Sequence, residues 1–236
     1  MDLVLRDGIP GLTMQRLADD VGCSVGTVYS YFASKGVLVA ELQRTAVERI
    51  VVSLQQVRDR SAAALDERRA GAAERATADL ALFGEFVIAC WDAFPQESHL
   101  LFSILAEQGV VVPQSELGRV LGPTLALLAI GSQGVQAAID EGVIGPGPAS
   151  ASAMDRVVVT ASALLGVLLT SHLSHLDPHA FDHRRLARTA WHDLLRGWGM
   201  DARSLRYAEG HLLTLAAAGP LAPPVADLLT TAPSGG

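Results

Sequence analysis

Residues 11–36, GLTMQRLADDVGCSVGTVYSYFASKG, decide how this chain folds. Met14, Leu17, Ala18 and Val21 recur at helical spacing and form one apolar stripe, with Gln15, Arg16, Asp19 and Asp20 on the other side. Thr13 is placed to cap the start of that helix. Gly22 suits the left-handed residue that ends a helix, and Ser24 caps a second helix directly after it. In the second helix Val25, Val28 and Phe32 face inward, which turns Gly26, Thr27, Ser30 and the hydroxyl ends of Tyr29 and Tyr31 toward solvent. That surface is small and polar, as entry into a duplex groove requires. Cys23 reads as a small apolar residue of the turn. Helix pairs around a glycine also occur in all-α proteins that never touch DNA, so spacing alone does not decide the function.

The residue identities carry the reading further. Leu12-Thr13, Leu17-Ala18, the run Gly22-Cys23-Ser24-Val25-Gly26-Thr27-Val28-Tyr29-Ser30-Tyr31-Phe32, and Ser34-Lys35 together resemble the TetR family of bacterial transcriptional regulators. The resemblance implies phosphate contacts for Thr13, Ser24, Tyr29, Tyr31 and Lys35, whose hydroxyls and ammonium suit positioning without sequence readout. It places Val25, Gly26, Thr27 and Ser30 nearest the base edges, where a methyl can meet thymine and a hydroxyl can donate or accept. Val25 departs from the pattern, since many relatives carry lysine there.

The resemblance also implies a longer first helix, often with a basic arm, ahead of the residues matching Asp2 to Gly8. Here Met1 falls inside that helix, leaving Leu3, Val4, Ile9 and Leu12 to cover the head, so the expectation is a start further upstream. Residues 1–45 hold Arg6, Arg16, Lys35 and Arg44 against Asp2, Asp7, Asp19, Asp20 and Glu41. With that balance, non-specific affinity is expected to be weak and its salt dependence shallow.

The 236 residues, half of them hydrophobic and with net charge -7, allow one small head and a body with a substantial core. The acidic total does not exclude DNA, because the local field at the contact face is what counts. Two cysteines, Cys23 and Cys90, exclude a disulfide framework and, without a recognisable secretory leader, fit a reducing cytoplasm. Residues 120–139 and 157–176 lack Asp, Glu, Lys and Arg over a bilayer-spanning length. Gly122-Pro123, Gln133 and Gln136 in the first, His172 and His175 in the second, and the lack of basic or aromatic flanks favour buried helices, with no membrane partner.

Helical patterns cover 35–60, where Leu38, Leu42, Ala46 and Ile50 repeat every fourth residue, then 76–94, 98–112, 115–141, 149–176, 180–198 and, weakly, 207–218. Gly122-Pro123 should kink or interrupt the fourth of these, and Gly145-Pro146-Gly147-Pro148 breaks the chain after it. No β segment or internal repeat appears. The expected fold is all-α: an N-terminal helix-turn-helix DNA-binding domain at 1–45, an α-helical ligand-binding and dimerisation domain at 46–218, and a mobile tail at 219–236.

No nucleophile-base arrangement or phosphate loop is present, so an enzyme is not expected, and neither is a cofactor. His172, His175, His179 and His183 have a spacing that would suit a metal on one unbroken helix, but Asp177-Pro178 breaks it, which favours solvated histidines over a metal site. Phe83, Phe86, Val87, Trp91, Phe94, Leu101, Phe102 and Leu105 fall on two neighbouring helices and make a core stripe or the wall of a cavity. The resemblance implies a small hydrophobic ligand there, with Glu85, His99, Ser103 or Gln108 as orienting groups. The 149–176 and 180–198 pair, with Ala161, Ala163 and Gly166 permitting close approach, is expected to pair two copies as a homodimer. Such a dimer would read a palindromic operator in double-stranded DNA. These features point to a homodimeric repressor released by a ligand. The alternative is a helical ligand-binding or interaction protein whose shortened head no longer binds DNA.

Overall fold

The computed structural model describes residues 9, 11–106, 114–147 and 152–225, with the backbone alone for 102–106. Among them there are only helices, turns and irregular segments, so the all-α expectation holds. The helices are α1 (Met14–Val21), α2 (Val25–Tyr31), α3 (Lys35–Glu67), α4 (Ala72–Ala93), α5 (Pro95–Ala106), α6 (Gln114–Asp140), α7 (Ala153–Leu168), α8 (His183–Gly197) and α9 (Ala202–Ala218). A 3-10 stretch, Leu169–His175, continues α7.

The chain divides into two compact units, Met1–Val51 with Phe94–Ala126, and Val52–Ala93 with Leu127–Gly236. The boundary expected at residue 45 falls inside α3. In the first unit Ile9, Leu12, Met14, Ala18, Val28, Leu38, Val39 and Ala46 form one buried cluster, and Leu100 of α5 lies in the same cluster. A head this small has little interior of its own, so a side chain from farther along the chain completes it.

In the second unit α4 packs against α7, α8 and α9, and α7 packs against α8. Phe86, Leu80, Leu82, Leu164, Leu195, Leu215 and Trp191 are buried there, and the Trp191 indole N–H donates to the Ala81 carbonyl at 3.3 Å. Trp191 meets Trp198 edge-on at 5.9 Å, and the Arg156 guanidinium lies 5.3 Å from the Trp198 ring centre.

Several helix ends differ from the sequence expectation for local reasons. α3 runs on to Glu67, seven residues past 60, because Ser61-Ala62-Ala63-Ala64-Leu65 is rich in strong helix formers. It stops where Arg69 takes a left-handed φ of 52° and the Ala70 N–H returns to the Leu65 carbonyl. α6 stays helical through Pro123. The α-helix of α7 ends at Leu168, short of 176, and tightens into the 3-10 stretch. There the Thr170 hydroxyl donates to the Val167 carbonyl and His172 Nδ1 lies 2.6 Å from the Leu169 carbonyl, both three residues back. α8 and α9 start at the capping carboxylates of Asp182 and Asp201, and α7 starts in a reciprocal capping box between Ser152 and Asp155. Of the tail expected to be mobile from residue 219, the first part is packed. Arg60 donates to the Pro220 carbonyl at 2.6 Å, Ser53 to the Pro223 carbonyl at 2.8 Å, and Ala222 and Val225 are buried.

Candidate nucleic-acid interface

The two helices of the head are joined as their end signals require. The Thr13 hydroxyl accepts the Arg16 N–H at 3.2 Å and opens α1. Gly22 closes it with φ 74°, and the Cys23 N–H returns to the Ala18 carbonyl at 2.9 Å, the six-residue closure of a Schellman turn. Cys23 is half-buried against the head cluster. One expectation fails at this turn: Val21 is 67% exposed. The helix ends at Val21, and Cys23, folded back by Gly22, packs on the core where another turn would have carried the stripe.

α2 begins at Ser24, whose hydroxyl accepts the Thr27 N–H at 3.1 Å and lies 2.9 Å from the Thr27 hydroxyl. The Ser30 hydroxyl donates to the Thr27 carbonyl at 2.6 Å. Val28 is buried, and Val25 and Phe32 pack partly on the same cluster. Val25 therefore has its side chain divided between the core and the surface assigned to the base edges. Ser24, Gly26, Thr27, Tyr29, Ser30 and Tyr31 are all exposed, the two tyrosines at 52% and 78%. Thr13 is exposed beside them in sequence at the start of α1, and Lys35 is half-buried at the first turn of α3, which the Ser34 hydroxyl caps.

Two features of this face are not explained by packing. A β-carbon at Gly26 would meet nothing nearer than the Ser24 hydroxyl at 3.7 Å, so the head does not need glycine there, although glycine weakens a helix. The rings of Tyr29 and Tyr31 stand in solvent although burial would stabilise the head. A low patch flanked by two phenols and a row of hydroxyls fits close approach of a sugar-phosphate backbone and groove floor.

The cations of the head are largely engaged with the protein itself. Arg16 donates to the Gly11 carbonyl at 2.9 Å. Arg44 is held by both Glu41 oxygens and by Glu48, which holds the Glu41 carboxyl below and the Arg44 guanidinium above their ordinary ranges. Glu41 also faces Arg119 at 3.6 Å, and Arg49 pairs with the buried Glu97 at 2.7 Å.

The residues expected to bound a ligand pocket belong to both units. Phe83, Phe86 and Trp91 are buried in α4 and Val87 is half-buried, while Phe94 is buried and Leu101 half-buried in the first unit. The Phe83 ring fills space that a β-carbon at Gly131 would enter to within 2.7 Å and borders a void of about 10 Å³, and the Trp91 indole N–H donates to the Ser171 hydroxyl. Side chains of Phe102, Ser103 and Leu105, and all of Gln108, lie outside the described residues. Glu85 is taken up by Arg188 at 2.9 Å, and His99 Nδ1 lies 2.7 Å from the Pro95 carbonyl. Two larger cavities of the second unit have other walls. One, about 570 Å³, is edged by α3, α4 and the end of α6; the other, about 360 Å³, by Ile88, Asp92, Arg184, Arg188 and Leu221. His172 and His175 turn to their own backbone, and His183 lies 3.3 Å from Asp92.

Residues 1–42 match the family model of bacterial regulatory proteins of the tetR family. No curated protein and no solved structure matches the chain.

Proposed function

We propose, on the premise that residues 1–42 are the DNA-binding head of the tetR family of bacterial regulatory proteins, that this transcriptional regulator is a homodimeric repressor released by a small ligand. The observation that carries the DNA-binding part is the exposed face of α2, where a glycine and two tyrosines stand against the interests of the head's own stability. Thr13, Ser24, Tyr29, Tyr31 and Lys35 hold phosphates in this reading, and Val25, Gly26, Thr27 and Ser30 approach the bases.

Pairing of two copies is supported by α7 and its 3-10 extension. Val158, Val159 and Leu176 are exposed there, and a β-carbon at Gly166 would meet nothing. The segments Gln114–Asp140 and Ala153–His175 are long and apolar enough to cross a membrane, with 28% of the most apolar window of each buried. A partner copy covering the second of them accounts for that apolarity in a cytoplasmic protein. A two-fold axis through such an interface would space the recognition helices by about 34–36 Å or a multiple, matching a palindrome. A ligand that fits the body better when the heads are wrongly spaced must weaken DNA binding by linkage, typically about 5- to 150-fold.

The test is selection of bound fragments from random duplex DNA by the full chain. A recovered palindrome supports the reading. Recovery of no enriched sequence at low salt favours the second reading, a helical ligand-binding protein, whose specific support is the commitment of Arg16 and Arg44 to the head itself.

A further inference from the structure

The 570 Å³ cavity of the second unit is large enough for a small organic ligand, and the aromatic residues singled out in the sequence do not line it. Its apolar wall is Ala62, Leu65, Ala72, Ala76 and Ala137. Its two arginines are already neutralised. Arg58 makes a two-pronged pair with Asp79 at 2.8 and 3.1 Å, and Arg75 pairs with Asp66 at 2.7 Å while donating to the Ala70 carbonyl. Asp59 and Glu141 also edge the cavity, from α3 and from just past the end of α6, and among the described residues no cation pairs with either. The cavity therefore carries uncompensated negative charge beside apolar surface.

A second observation comes from its floor. Ser61 is only 4% exposed, and its hydroxyl lies 2.7 Å from Nε2 of His211, which is 1% exposed. Nδ1 of His211 is buried with no hydrogen-bond partner. Buried N–H groups left without an acceptor are rarer than buried acceptors left without a donor, which assigns the proton to Nε2. Nε2–H then donates to the Ser61 oxygen, and the Ser61 hydroxyl proton is left to serve an acceptor in the cavity that Ser61 lines. Burial, and the charge of Arg68, keep His211 neutral by lowering its pKa, in agreement with this arrangement.

We infer that this cavity binds an organic ammonium ligand that carries an acceptor oxygen near its cationic end: Asp59 and Glu141 hold the cation, Ser61 donates to the oxygen, and Leu65 with the alanines covers the apolar part. As a regulatory site it rests on the ligand-released reading above; as a binding site it stands without it.

The test uses the full chain without DNA and three probes of one shape: 2-phenoxyethylamine, 2-phenoxyethanol and phenoxyacetate, titrated by calorimetry or chemical-shift change. The amine is expected to bind, and the alcohol and carboxylate to bind at least several-fold more weakly. Asp59→Asn with Glu141→Gln, both at exposed positions, should weaken the amine about tenfold, the scale of two solvated ion pairs, and leave the alcohol unchanged. Ser61→Ala should weaken amine and alcohol alike. Equal binding of amine and carboxylate, an unaffected double variant, or no amine binding at all would overturn the inference. A separate DNA titration keeps the two readings apart: amine binding without DNA release supports this site and defeats only the switch.

Discussion

A β-carbon added at Gly84 of α4 would stand 2.3 Å from Cε2 of Trp191, because the indole lies directly on the α4 backbone. The largest fully buried side chain described in the second unit is thus seated in a notch that only glycine leaves open. Gly84→Ala is expected to destabilise the protein by about 1–3 kcal/mol, the usual cost of overpacking a filled core. Gly210→Ala in α9, where a β-carbon would meet nothing, should instead stabilise by about 0.5–1 kcal/mol. Urea midpoints of the two variants moving in the same direction would refute the notch.

Arg69 supports a left-handed backbone at φ 52° between α3 and α4, a conformation in which its β-carbon is crowded. Replacement by glycine should raise stability by about 0.5–1 kcal/mol, measured by thermal or urea unfolding. A loss would mean that the Arg69 side chain contributes more than its backbone costs.

The imidazole of His211 is held below its ordinary value of 6.5, first by burial and then by the charge of Arg68. The unfolded chain therefore takes up a proton there at a higher pH than the folded one does, and stability falls as pH drops below that value. The helix-capping carboxylates of Asp155, Asp182 and Asp201, lowered from 3.8 by backbone N–H groups, act only at more acid pH. Between pH of about 6.5 and 5 the unfolding midpoint should decline, and His211→Gln should flatten that decline. Identical slopes for the two proteins would rule His211 out as the source.

On DNA, stability and binding should separate. Gly26→Ala is expected to stabilise the head slightly, since its helix gains a better former and the site has room, while operator affinity falls. Tyr31→Ala and Lys35→Ala should weaken all sequences alike, whereas Thr27→Val should change base preference. Competition gel shifts with scrambled duplexes decide this, and a sequence-selective loss at Lys35 would contradict its phosphate role. The salt slope should also be shallow, because Arg16 and Arg44 are occupied within the head.

What was legible in the chain was what depends on neighbours in sequence. Thr13, Gly22 and Ser24 end and begin helices through bonds three to five residues long, and each does so as their types suggest. The Val21 error came from extending a periodic stripe past the residue where the turn takes over. Contacts between distant segments left no local trace. Nothing around Gly84 announces Trp191, and Ser61 and His211 are 150 residues apart. A stripe of Phe83, Phe86 and Trp91 has the same spacing whether a helix packs against it or a ligand does, so that spacing does not choose between core and pocket. Leu100, which lies in the head's core from α5, was likewise out of reach of any reading that ends the head at residue 45.

The segment after α9 is tied down through main-chain carbonyls, those of Gly219, Pro220 and Pro223, by Arg60 and Ser53 of α3. A carbonyl is supplied by every amino acid, so evolution can rewrite much of this stretch without loosening it, provided the two donors persist. Divergence here between orthologues should be read as neutral drift over a retained anchor, and the informative positions to compare are Arg60 and Ser53.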